Sequence, residues 1–415
     1  MDTTPKCKSL LSPKIRATCY ALSFLGASAF LYGMVMGQTV RAWEVLLVNF
    51  LFWGGIAQAG VVLSALLQLT SAQWGRPLKR TAEGTAAFIP VSFLVLLILF
   101  LGRSTIFPWI DNPIETKQIW LNTPFLIARQ GLGFLLLSTI SLLYVYFSVR
   151  PDIGLIHEST TENLGFIARR WIGNWRGLNT ECALSQQWQN RLAPMILIVY
   201  ACIFSLQAFD FVMSLDAHWY STLLGGYFFI GNLFAGVAFV TALAIWFHLS
   251  SQLSTRVGTT QLYDLGKLLL GFCMLWTYLF WTQYLVIWYG DLPEETAFIL
   301  KRTVEMPWAP LAWTVFCGCF VIPFVALLSR EIKTRPRALL TIAIIALVGM
   351  WLERFLLVSP SLWSGELLPL GLLEALVTAG FLSSFIICYT RFLQIVPALP
   401  LADPLFEPRK TITEE

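Results

Sequence analysis

The sequence predicts an all-α, polytopic membrane protein, and three observations carry that prediction. Hydrophobic residues make up 57% of the chain, charged residues only 13%, and the apolar residues gather into about ten runs of bilayer-crossing length. Roughly 20 apolar residues are enough to cross hydrocarbon as a helix. The runs lie at 17–37, 44–68, 82–102, 124–149 and 192–214, then at 223–247, 262–289, 307–329, 337–358 and 369–393. The first run is helix-length and ends without a small-x-small cleavage site, so it is expected to remain as an anchor. No run is evidently broken, although Pro90 and Pro323 can each kink a helix.

Ten alternating crossings put both termini on one side, and charge says which. That side carries twenty Lys and Arg residues, among them Arg76, Lys79, Arg80, Arg150, Arg330, Lys333, Arg335 and Arg337; the opposite loops hold five, Arg41, Arg103, Lys117, Lys301 and Arg302. The positive-inside rule makes both termini cytoplasmic. The basic residues behind the net charge of +4 follow topology and form no single stripe, so nucleic acid is not an expected partner. The lipid bilayer is.

The eight cysteines are scattered without C-x-x-C pairs and read as buried thiols. A b-type cytochrome needs paired histidines at membrane depth. The three histidines, His157, His218 and His248, fall in loops or at a helix end. Cys317 and Cys319 flank one glycine and leave a helix on different sides, which excludes iron–sulfur ligation. No phosphate-binding loop or dinucleotide fingerprint is present. The chain is therefore expected to bind no redox metal itself.

FWGGIAQAGVVL at 52–63 resembles FIGNLFAGVAFV at 229–240, four predicted helices later. An even offset preserves orientation, so the expected organisation is two parallel four-helix bundles with two flanking helices, unless the similarity only reflects small-residue packing. Residues 1–43 would hold a tail and flanking helix one, and 44–222 the first bundle, helices two to five, with a long cytoplasmic loop at 150–191. Residues 223–358 would hold the second bundle, helices six to nine, and 359–415 flanking helix ten and a proline-rich, extended tail. Trp171, Trp175 and Trp188 among arginines in the long loop suit a headgroup-layer helix or a docking surface.

Charged groups near hydrocarbon need a reason. Asp264 and Lys267, three apart at the cytoplasmic end of helix seven, share a face and form either a neutralising pair or a proton inlet. Asp210 lies near the outer end of helix five, with Asp216 and His218 beyond it, where a histidine can pass protons to a carboxylate or serve structure. Glu353 and Arg354 are adjacent on helix nine and diverge by roughly 100°. Each should seek a partner on another helix, and Glu374 and Arg129 are candidates. Deeper polar groups are few: Gln58, Asn232, Thr277 and Tyr278. The proton-path candidates are thus Asp210, Asp216, His218, Asp264, Lys267, Glu353 and Arg354.

Five segments carry a family resemblance: WGRPLKRTAE at 74–83, FDFVMSLDAHWYSTLLGGYFF at 209–229, DLGKLLLGFCMLWTYLFWTQYLVIWYGDLPEE at 264–295, MWLERFLLVSPSL at 350–362 and ADPLF at 402–406. Together they resemble the F subunit of alternative complex III, a bacterial quinol:cytochrome c oxidoreductase, and more broadly the NrfD-like membrane subunits found with polysulfide reductase. The resemblance implies a subunit of the bacterial inner membrane that assists proton movement or assembly. Haem and iron–sulfur clusters would reside in partners: a multihaem cytochrome, an iron–sulfur protein and a homologous NrfD-like subunit. Family members often have histidine just before DLGK, where this chain has Tyr263, a poorer relay with an ordinary pKa near 10. A quinone-binding anchor of another oxidoreductase and a secondary transporter built from parallel repeats stand as alternatives.

Overall fold

The computed structural model describes residues 11–159, 170–249 and 258–406. Among them ten helices are long and apolar enough to cross a membrane: α1 (Pro13–Val35), α2 (Thr39–Leu69), α3 (Arg76–Leu101), α4 (Thr123–Glu158), α5 (Leu178–Leu215), α6 (Leu224–Leu249), α7 (Thr259–Gly290), α8 (Trp308–Leu328), α9 (Pro336–Leu362) and α10 (Leu372–Ile395). Each overlaps one apolar run of the sequence, and no strand occurs among the described residues. The protein is a multi-pass, all-α membrane protein. Alternation puts the start of α1 and the end of α10 on one face, the termini face, opposite a distal face.

Helix α2 is apolar over most of its circumference and buried without interruption from residue 42 to residue 65, as such a helix must be at the centre of a bundle. It packs against α3, α5, α6, α9 and α10. Helix α6 forms the other centre, against α2, α5, α7 and α9. The two similar segments meet across the α2–α6 contact, where Gly55 faces Asn232 and Gly236 faces Ala59. Small residues there let two helix backbones approach, which is how helices associate when lipid offers no hydrophobic contrast. At the periphery, α1 lies on α10 so closely that a Cβ at Gly26 would sit 2.8 Å from the Gly380 Cα.

Three expectations change. First, two helices are broken: α3 turns to 3-10 geometry over Gly84–Phe88, and α8 contains a π turn over Cys317–Val321. Each break falls just ahead of a proline, Pro90 or Pro323, whose missing N–H frees an upstream carbonyl from the α ladder. Second, the long loop at 150–191 is mostly helix, because α4 runs on to Glu158 and α5 begins at Leu178. Asp152, Glu181, Ser185 and Gln189 are buried in these extensions, and Arg150 pairs with Glu181 at 2.9 Å. Polar residues continue the helices there because they face each other, a pattern that hydropathy alone reads as loop. Residues 160–169 of that loop lie outside the described residues. Third, residues 396–406 fold back onto the bundle instead of extending away, with Leu399 and Phe406 buried; the rest of the tail lies outside the described residues.

Candidate functional site

Burying charge near hydrocarbon is stable only when partners converge on it. At the termini face six charged groups do so. Asp403, on the returning tail, accepts from Arg76 at 2.9 Å and Lys79 at 3.0 Å. Lys79 also donates to Gln189 at 2.7 Å, and Arg76 to Gln68 at 2.8 Å. One turn deeper, Arg80 is clasped between Asp152, Glu83 and the Ser148 carbonyl and hydroxyl. Three cations face three carboxylates, all within 9% exposure. Burial alone would raise the Asp403 carboxyl, but the charges of Lys79 and Arg76 and the Leu405 N–H outweigh it and hold it below its ordinary value. The Ala402 N–H donates to Asp152 at 2.6 Å, so the tail is bonded to both layers of the cluster.

From this cluster polar groups lead towards the distal face. Glu83 accepts from Ser148 at 2.7 Å and Ser64 at 2.9 Å, and Ser64 lies 3.2 Å from the Tyr144 hydroxyl. Ser141 donates to Gln58 at 2.8 Å, leaving the Gln58 amide N–H₂ without a partner among the described residues. Ser138 and the Gln207 amide nitrogen are likewise buried and unpartnered. At the distal end Asp210 accepts from Arg129 at 2.8 and 2.5 Å, from Gln130 and from the Trp120 indole at 3.2 Å. The Arg129 guanidinium also lies over the Trp120 and Phe125 rings, at 3.9 and 4.4 Å.

Helix α4 organises this set. Gln130, Ser138, Ser141, Ser148 and Asp152 are spaced by eight, three, seven and four residues, which puts them on one helical face, and all five are buried. At about 1.5 Å per residue the stripe is roughly 33 Å long, the thickness of the hydrocarbon core. It is interrupted at Phe134 and Val145, where ordered water would have to bridge a proton path.

A second feature lies in the distal half of α6–α9. A cavity of about 480 Å³ is bounded by α6, α7, α8, α9 and the short helix Pro293–Thr303 of the distal loop. Its wall is aromatic, with Tyr227, Trp276, Phe280 and Trp313, and its polar members include Glu353, Gln283 and Arg302. Glu353 and Arg354 are 3.0 Å apart. Arg354 reaches across to the Phe228 carbonyl at 3.0 Å and Asn232 at 3.1 Å, through space opened by Gly231, where a Cβ would crowd its guanidinium. Arg302 has no carboxylate partner among the described residues; it donates to the carbonyls of Phe298 and Leu357 and to Ser361. Burial pushes it down to about 9, opposed only in part by Asp216.

The seven residues singled out in the sequence therefore separate. Asp210 stands at the distal end of the stripe. Asp216 is half-buried near Arg302, and His218 is exposed and bonded to neither aspartate. Asp264 and Lys267 form an ion pair of 2.6 Å on the outside of α7, with Lys267 52% exposed, and bond to no member of the stripe. Glu353 and Arg354 bond each other despite their angular divergence, because both long side chains bend into the slot beside α6. Their expected partners are taken: Glu374 by Arg41 at 2.8 Å and Arg129 by Asp210. The buried cluster around Arg80 and Glu83 was missed as a site, although its basic members were visible as topology signals. Among the described residues no group of three or more His, Cys, Asp or Glu is placed to hold a metal ion.

The family model described as Polysulphide reductase, NrfD matches residues 34–365, most of the chain. No curated protein matches it.

Proposed function

The chain belongs to the NrfD family of polysulphide reductase membrane subunits, and is thus a membrane subunit of a quinone-linked oxidoreductase; on that premise we propose that it assists proton movement within the complex. Subunits of this family partner with other redox subunits. The specific assembly we propose is a quinol:cytochrome c oxidoreductase of the alternative complex III type, in which haem and iron–sulfur clusters lie in partners and this chain holds no redox metal. The termini face is then cytoplasmic, and two four-helix bundles, α2–α5 and α6–α9, are flanked by α1 and α10.

The observation that carries the proton reading is the α4 stripe. Its hydroxyls and amide lie between a charged cluster at one face and the Asp210–Arg129 pair at the other, with gaps that water must bridge, in a region where hydrocarbon would otherwise exclude polar groups. Of the sequence candidates, Asp210 lies on this route, whereas Asp264 and Lys267 lie off it. Gln58 with Ser141 is the link nearest mid-membrane. Gln58→Leu in the purified complex should lower the protons moved per electron while all subunits remain assembled; an unchanged ratio in an intact complex rejects the route.

The cavity at Glu353 favours a second reading, a quinone-binding anchor. A quinone ring needs flat apolar walls, donors for two carbonyls and, when quinol is oxidised, a base for its protons. Tyr227, Trp276 and Phe280 supply the first, Gln283 and Arg302 the second, and Glu353 the third. Under this reading Glu353→Gln slows quinol oxidation, and quinone extracted with the protein falls. Unaltered quinone content and rate reject it.

A further inference from the structure

The long block at 264–295, which opens with DLGK and is preceded by Tyr263, is the most specific family signature in the sequence, and the proton stripe leaves its opening unused. Its surroundings are unusual in charge. The Tyr263 ring is flanked by three cations: Lys267 Nζ at 4.8 Å, Lys333 Nζ at 5.2 Å and the Arg330 guanidinium at 5.7 Å from its centroid. At this end of α7–α9 the described carboxylates are Asp264 and Glu331, and both are occupied, by Lys267 and Arg335. Arg330 and Lys333 have neither a carboxylate nor a hydrogen-bond acceptor among the described residues. Lys333 is only 7% exposed.

The stem of Lys333 is buried while its ammonium reaches the surface without an acceptor from the described residues, an arrangement that is costly beside hydrocarbon unless something outside the chain supplies the anion. The Lys333 stem is held by α7 itself: a Cβ at Gly266 would lie 2.7 Å from Lys333 Cγ, so only glycine lets the stem cross so closely. The head is thereby fixed beside Tyr263, whose hydroxyl has no partner among the described residues. Arg330 is exposed and free to reach the same point. Planar arginine, point-charge lysine and a phenol donor together match the oxygens of a phosphodiester. The adjacent stretch of α8 exposes apolar Val325 and Leu328, a surface suited to acyl chains.

We propose that Tyr263, Arg330 and Lys333 form a site for the phosphodiester headgroup of an anionic phospholipid in the leaflet of the termini face. Asp264 then has a structural part: it neutralises Lys267 and leaves the other two cations for the headgroup. Zwitterionic lipid fits less well, because its ammonium would meet the same cations. Cations near such a surface each strengthen anionic-lipid attachment several-fold.

The test is native mass spectrometry of the complex purified in detergent with added phosphatidylglycerol. The wild type should retain phosphatidylglycerol and should not retain phosphatidylcholine in its place. Arg330→Gln/Lys333→Gln should weaken retention on the order of thirtyfold. Arg330→Gln alone, at an exposed position, gives an intermediate loss and serves if the double variant folds poorly. Equal retention by wild type and variant overturns the proposal, as does equal retention of phosphatidylcholine. Displacement of the lipid by inorganic phosphate would make this a free-anion site, and loss of a partner subunit with lipid retained would make it a protein-docking face; either result also overturns it.

Discussion

Single residues here are legible chiefly through what they would leave behind. Among the described residues Arg129 is the only cation bonded to Asp210, which is wholly buried, so removing the guanidinium strands a carboxylate in a low-dielectric site. Arg129→Met should cost about 3–5 kcal/mol of stability, seen as a lowered thermal transition in detergent, whereas Arg129→Met/Asp210→Leu should recover much of the loss. Equal destabilisation by the single and double changes would show that the pair is not the source. The adjacent Glu353 and Arg354 teach the complementary lesson. A helical wheel sends them apart, but a wheel carries no information about the slot at Gly231 into which the Arg354 guanidinium folds.

Among the elements, α4 and the tail matter most. The α4 stripe was legible in principle: Gln130, Ser138, Ser141, Ser148 and Asp152 recur at helical spacing inside an apolar run. Serines are easily discounted as ordinary membrane-helix residues, and only burial on one face makes them a set. The tail was not legible, because nothing local tells a proline-rich segment that Arg76 and Lys79 await it. Its attachment has a defined pH dependence. The Asp403 carboxyl has a depressed pKa in the folded protein, so its contribution is complete above the ordinary value of 3.8 and is lost as pH falls through the lower folded value. Proteolysis of the C-terminal segment should therefore be slow at neutral pH and accelerate only in strong acid. Asp403→Asn should release the tail already at neutral pH; equal protection in wild type and variant would contradict this anchoring.

At the scale of the whole molecule, ten helices were read correctly because bilayer thickness imposes a length and hydropathy that the chain cannot conceal. The helix breaks have a local cause that Pro90 and Pro323 already signal, whereas the helix extensions and the charged cluster escaped because each depends on which faces meet, and one chain's hydropathy does not record that. The same limit explains why Asp264 and Lys267 stand out in the sequence while Arg80 and Glu83 do not: the former mark the mouth of an apolar helix, whereas Arg80 sits in a segment that reads as a basic loop and Glu83 at the very edge of the next apolar run.

On the proposed proton route along the α4 stripe, Glu83, joined to Ser64, Ser148 and Arg80, is a buried charged step. The most direct measurement is the number of protons moved per electron by the purified complex in sealed liposomes, compared between wild type and Glu83→Gln. The stripe predicts a lower ratio in the variant, with assembly intact and electron transfer preserved when the gradient is collapsed. An unchanged ratio in a fully assembled complex would contradict it.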